Sequence, residues 1–201
     1  FVVVPIVLIT LATFGVNHWN SRESQIDALN TSMQILVDEF AKRIANELKD
    51  IEVIAYMGRD YVEGSDFVSE SEAISWLINN HEYNKYLMGS VFAFEPSYSK
   101  GRRRLQAVSN INGKIVANDL SGKIDYLRPD EVWYAIPKKT GKPYWQTFYR
   151  DRVTGKGGSR FSVPMYKDGK FIGVSSARME LSQLDNFLDT TYYHTISFNL
   201  I

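Results

Sequence analysis

The chain has 201 residues, 44% of them hydrophobic, which suffices for one buried core and a helical extension. Lys+Arg and Asp+Glu each number 23, so the formal charge is zero and no overall field favours nucleic acid or an acidic partner. Cysteine is absent, which excludes a disulfide framework and a cysteine zinc site.

Residues 1–16 (FVVVPIVLITLATFGV) carry no charge. As helix they would span about 24 Å, short of a ~30 Å hydrocarbon core. The sequence opens on Phe, and the expectation is a transmembrane helix over 1–19 cropped by about a turn. His18 and Trp19 then stand where an aromatic anchor meets the interface. A signal-peptide core and a buried helix are the alternatives; the helical pattern that runs on past Trp19 speaks against the former. From Ser21, the residues Ile26, Leu29, Met33, Leu36, Phe40, Ile44, Leu48 and Ile51 recur at steps of three and four. No Gly or Pro interrupts this stalk helix, assigned to 20–57. Its seam packs on its own sheet, or its first half also pairs with a second copy as a short coiled coil. A homodimer is expected.

Residues 58–67 (GRDYVEGSDF) read as a turn-rich break. Ser69 with Glu72 three residues on has the spacing of a capping box and opens a helix to about residue 80. Residues 86–94 (YLMGSVFAF) read as a central strand ended by Pro96. Arg102-Arg103-Arg104, the one dense basic run, reads as a solvated turn. Two further strands, 105–109 and 114–118, flank the hairpin signal Asn110-Ile111-Asn112-Gly113.

An aromatic-rich helix over 129–136 precedes a three-strand meander: 144–149, 160–166 and 171–177. Turns at Thr154–Gly158 and Asp168-Gly169 join them, the Asp-Gly pair being a strong hairpin signal because Gly takes positive φ. A helix over 180–190 and the start of a strand over 193–201 follow. The pattern is α+β: a long N-terminal helix packed on an antiparallel sheet of five or six strands, with short covering helices.

Nothing in the chain argues for catalysis or for a cofactor. His18, His81 and His194 are scattered, and none has metal-ligand spacing. The TGKGGS stretch lacks the full phosphate-loop frame, and there is no nucleophile elbow or isolated carboxylate dyad. What converges is a binding constellation: Tyr126, Trp133, Tyr134, Trp145, Tyr149, Asp151 and Arg178. Aromatic rings supply apolar area with little rotamer freedom to lose. Asp151 could pair with an amine, and Arg178 could take a carboxylate in a fork. The plainer reading makes Trp133 and Trp145 core and Asp151 a turn cap.

The ordered series Trp133-Tyr134, Gly141-Lys142-Pro143-Tyr144-Trp145, Phe148-Tyr149-Arg150-Asp151 and SVPMYKDGKFIGV, together with VFAFEP upstream, resembles the ligand-binding half of Cache sensor domains. These are extracytoplasmic PAS-like modules of bacterial transmembrane receptors. The wording is most similar to double-Cache sensors in front of PPM-type serine phosphatases and histidine kinases, from about Ser21 onward. The resemblance implies a membrane-distal Cache module over 58–190, a membrane-proximal module starting at 191–201, and placement outside the plasma membrane. It further implies a small-molecule ligand and an output beyond the chain of kinase, phosphatase or chemoreceptor type. Amino-acid-binding members resemble one another in an Arg two residues before Trp-Tyr, a Tyr-x-Asp and a late Asp. This chain keeps Tyr149-Arg150-Asp151 but has Glu131 and Arg178 at the other two places, with charges exchanged. A different small ligand is implied, a carboxylate or an amine metabolite, or none. A membrane-anchored assembly module without gated signalling is the competing class, and a membrane-anchored hydrolase a third.

Overall fold

The computed structural model describes the backbone of residues 3–83, 87–151 and 155–180, and the side chains of 13–81, 87–151 and 155–180. Residues 181–190 of the helix expected at 180–190, the strand expected at 193–201 and the side chains of 1–12 lie outside these residues. Among the described residues no helix is long and apolar enough to cross a membrane.

The chain divides into two units, Phe1–Asn46 and Glu47–Ile201. Helix α1 (Val3–Gly64) supplies all the described structure of the first. There the seam residues Ile26, Leu29 and Met33 are exposed. The second unit holds the end of α1, α2 (Glu70–Tyr83), β1 (Gly89–Phe94), β2 (Arg104–Ile111), β3 (Lys114–Asp119), α3 (Val132–Thr140), β4 (Tyr144–Arg150), β5 (Gly157–Lys167) and β6 (Lys170–Glu180). The six strands among the described residues form one antiparallel sheet in the order β3-β2-β1-β6-β5-β4. Strands β1 and β6 therefore meet at its centre.

The break expected at 58–67 begins later, because α1 continues to Gly64. Gly58 is a packing residue here: a Cβ on it would lie 2.5 Å from Ser175 Oγ and 2.8 Å from Phe92 Cε1. Its missing side chain lets the helix approach the sheet, which outweighs its poor helix propensity. The β5–β6 hairpin then fixes the helix end. Lys167 Nζ donates to the carbonyls of Glu63 and Ser65, at 3.2 and 2.7 Å, where the helix leaves carbonyls without partners. Tyr166 N donates to Glu63 Oε1 at 2.7 Å.

The capping box forms as the spacing predicts, with Ser69 N donating to Glu72 Oε2 and Glu72 N to Ser69 Oγ. Asp168-Gly169 and Asn112-Gly113 both take positive φ, as two-residue hairpin turns require. Helix α3 starts three residues later than expected and runs to Thr140, where Gly141 in the left-handed conformation donates to the Pro137 carbonyl.

Period-2 alternation gives the sheet two apolar faces. One carries Phe92, Phe94, Val108, Phe161, Val163, Ala177 and Met179, packed under Ile51, Ile54 and Val62 of α1 and Leu77 of α2. The other carries Val91, Ala93, Leu105, Ala107 and Val174, packed under Leu120, Tyr126, Trp133 and Tyr134. Arg104 departs from the solvated turn expected of its run. It opens β2, only 5% exposed, with its guanidinium 4.6 Å from the Phe94 ring and 5.5 Å from the Phe67 ring.

Candidate functional site

On the second face, between the sheet and the 120–133 segment, lies a cavity of about 180 Å³. An apolar cavity of about 150 Å³ accommodates a benzene-sized guest, so this one suits a small metabolite. Val91, Leu105, Ala107 and Leu120 form its apolar end; Trp133, Tyr149, Asp151, Arg160 and Arg178 form the other.

Arg178 leaves β6 and crosses β1 directly over Gly89, its register partner. A Cβ on Gly89 would sit 2.0 Å from Arg178 Nε, so this track exists only because position 89 has no side chain. The guanidinium then donates through Nη2 to Ser109 Oγ at 2.9 Å and through Nη1 meets Asp151 Oδ2 at 2.7 Å. Both side chains of that ion pair are at most 10% exposed. Its attraction acts in a poorly screened setting, and removing either partner would leave the other charge buried and uncompensated.

Arg160 stands opposite Arg178 in the β5–β6 ladder. Its guanidinium lies 4.7 Å from the Trp133 ring and 4.6 Å from the Tyr149 ring, with Asp151 Oδ2 at 3.8 Å. Two rings thus hold the cation, while its Nε–H has no hydrogen-bond partner. Gln146 Oε1 and the Tyr149 hydroxyl, also on the cavity, are likewise buried without partners. Glu131 Oε2 accepts from the Trp133 indole at 3.0 Å and orients that ring.

Of the seven residues singled out from sequence, Trp133, Tyr149, Asp151 and Arg178 come together on this cavity. Tyr126 and Tyr134 do not line it. They pack edge to face, 5.0 Å apart, in the core beneath α3. Tyr126 donates to the Phe94 carbonyl at 2.5 Å, and Tyr134 to Glu95 Oε1 at 2.6 Å. Burial, and for Tyr134 next the Glu95 hydrogen bond, raises both phenols above their ordinary range, so both stay protonated.

Trp145 is on the opposite side of the sheet. It packs 5.0 Å from Phe161 and donates to Glu52 Oε1 of α1 at 2.9 Å. The cause is a β-bulge. Gln146 pairs with Arg160 and Tyr149 with Gly158, the register shifting by one between them. Without that extra residue Tyr149 would share a face with Trp145; with it, Tyr149 joins Gln146 and Arg160 on the cavity. Phe148, displaced by the bulge, is 79% exposed.

A second correction concerns Asp151 and Arg178. Expected as separate hooks for an amine and a carboxylate, they hold one another, while the Asp151 backbone closes the turn by bonding Gly155 and Lys156. Sequence reasoning passed over Arg160, Gln146, Ser109 and Gly89. Two signals were present: Arg160 alternates with Phe161, Val163 and Met165, and Gly89 interrupts an apolar strand.

The chain matches the family model described as methyl-accepting chemotaxis protein-like, first PDC sensor domain, over residues 74–186. It is similar to the extracellular domain of a histidine kinase, soHK1S-Z6, at 18% identity and TM-score 0.66, covering 73% of this chain and 58% of that one. It is similar to methyl-accepting chemotaxis protein X at 23% identity and TM-score 0.65, covering 79% and 64%. A third likeness is to the ligand-binding domain of Campylobacter jejuni chemoreceptor Tlp3 in complex with L-valine, at 14% identity and TM-score 0.58, covering 75% and 59%. At such identities the likeness is one of fold. The chain spans about three-fifths of these relatives' own length. No curated protein matches it.

Proposed function

Because the chain belongs to the methyl-accepting chemotaxis protein-like first PDC sensor-domain family, we propose that it is the extracytoplasmic ligand-binding part of a membrane receptor. The observation that carries this reading is the cavity of about 180 Å³ inside the matched span, walled by Trp133, Tyr149 and two guanidinium groups. Its ligand is a small metabolite, as for the Tlp3 relative solved with L-valine and the Pseudomonas aeruginosa chemoreceptor PctC solved with GABA.

The uncharged run at 1–16 anchors the chain in the plasma membrane in this reading, and the exposed seam of Ile26, Leu29 and Met33 pairs two copies. The output, kinase, phosphatase or chemotactic, lies beyond the chain. Strand β6 is the physical link between pocket and helix. Arg178 faces the cavity while its neighbours Ala177 and Met179 pack with Ile51 and Ile54 of α1. A ligand that prefers one packing of β6 biases α1 by the difference in its affinities for the two states.

Thermal-shift screening of the full chain with amino acids, carboxylates and amines tests the reading. A ligand at 100-fold its Kd adds about 2.7 kcal/mol, which raises the melting temperature by roughly 5–10 °C. Trp133→Leu should remove that shift in a chain that still melts cooperatively. A blank panel, with the chain still dimeric, would leave the assembly-module reading instead.

A further inference from the structure

We propose that the cavity takes a small monocarboxylate bearing an adjacent hydroxyl, and that Arg160, not Arg178, reads the carboxylate. The inference rests on the ligand-sensing reading and deepens it.

The two guanidiniums on the cavity are not equivalent. Arg178 is committed, with Asp151 on one side and Ser109 on the other. Moving it to a ligand would break a buried ion pair, which costs more than one new charge-assisted bond returns. Arg160 is held by aromatic faces, which fix its position without using its hydrogen-bond donors. Its Nε–H remains without a partner. A buried donor left unmade is costly, and an anionic acceptor repays most.

Two further polar groups on the cavity extend the pattern. The Tyr149 hydroxyl can donate to a second carboxylate oxygen, and its ring already lies against Arg160. Gln146, the register partner of Arg160, presents a carbonyl oxygen that needs a donor. Two donors and one acceptor match a carboxylate with a hydroxyl on the next carbon. An ammonium at that carbon would also satisfy Gln146, but it would add positive charge beside Arg160, which lies 3.8 Å from an Asp151 already paired with Arg178, while Glu131 on the same cavity accepts from the Trp133 indole. Val91, Leu105, Ala107 and Leu120 leave the far end for a short branched tail.

The test is calorimetric titration of the full chain with four probes: 2-hydroxy-3-methylbutanoate, 3-methylbutanoate, valine and 3-methylbutylamine. The hydroxy acid should bind tightest, the plain acid several-fold weaker, and the amine not at all. Arg160→Gln should weaken the hydroxy acid roughly 10- to 100-fold, the worth of a hydrogen bond to a charged group. Tyr149→Phe, which keeps the ring against Arg160, should weaken it several-fold and guards against a folding defect in the first variant. Preference for valine overturns the adjacent-hydroxyl assignment; preference for the amine, or an affinity indifferent to both substitutions, overturns the carboxylate assignment; each leaves ligand sensing standing. No binding of any probe, alongside a hit from the wider panel, overturns the class alone; blanks in both overturn the sensing reading too.

Discussion

Gly89→Ala should destabilise the protein by dislodging Arg178, although the substitution is the smallest possible and leaves every charge in place. The added methyl would lie 2.0 Å from Arg178 Nε and 2.8 Å from its Cζ, so the side chain must leave its track over β1. Asp151 then loses its 2.7 Å partner and Ser109 its donor. Breaking a buried pair by removing one side costs about 3–5 kcal/mol. Arg160, 3.8 Å from Asp151, can move in and recover part of this, leaving about 2–4 kcal/mol. For a chain of this length that lowers the melting temperature by roughly 4–16 °C. The assay is thermal and urea unfolding of four proteins: the parent, Gly89→Ala, Arg178→Ala and the double variant. With Arg178 already truncated, Gly89→Ala has nothing to displace and should be neutral or slightly stabilising, since Ala loses less backbone freedom than Gly on folding. Equal losses in both backgrounds, or a parent-like Gly89→Ala, would refute the claim that position 89 is kept bare for the arginine.

The remaining predictions concern the other side of the sheet. His81, buried and bonded to Ser90, is held at about 4 by its burial and next by the positive charge of Arg178, against an ordinary 6.5. The unfolded chain therefore binds the proton first. Stability from this group is complete above about pH 6.5 and is lost as pH falls toward 4, on the order of 3 kcal/mol in all. Urea midpoints across that window should lose most of their slope in His81→Gln; an unchanged slope would assign it elsewhere. Trp145→Ala should cost about 3–5 kcal/mol through lost packing on Phe161 and the lost bond to Glu52, yet leave affinity for 2-hydroxy-3-methylbutanoate within about twofold. A large loss of affinity in a folded Trp145→Ala protein would put that ring back in the pocket.

Local chemistry alone determined much of this molecule. Asp168-Gly169, Asn112-Gly113 and the Ser69–Glu72 box each bring their partners within a few residues, so turn and cap formed where the spacing predicts. Alternation along 160–166 and 171–177 gave the meander, and the ordered aromatic motifs gave the sensor family. Tertiary structure decided which side each group faces and whom it meets. One extra residue between Gln146 and Tyr149 turns a ring from one face to the other, an effect that no pattern of period two announces in advance. Gly58 reads as the start of a turn-rich break and Gly89 as part of a central strand; both became close approaches once the helix met the sheet and an arginine crossed β1. Asp151 and Arg178 stand 27 positions apart along the chain. Whether two such charges await a ligand or satisfy each other depends on a distance that folding alone sets, here 2.7 Å.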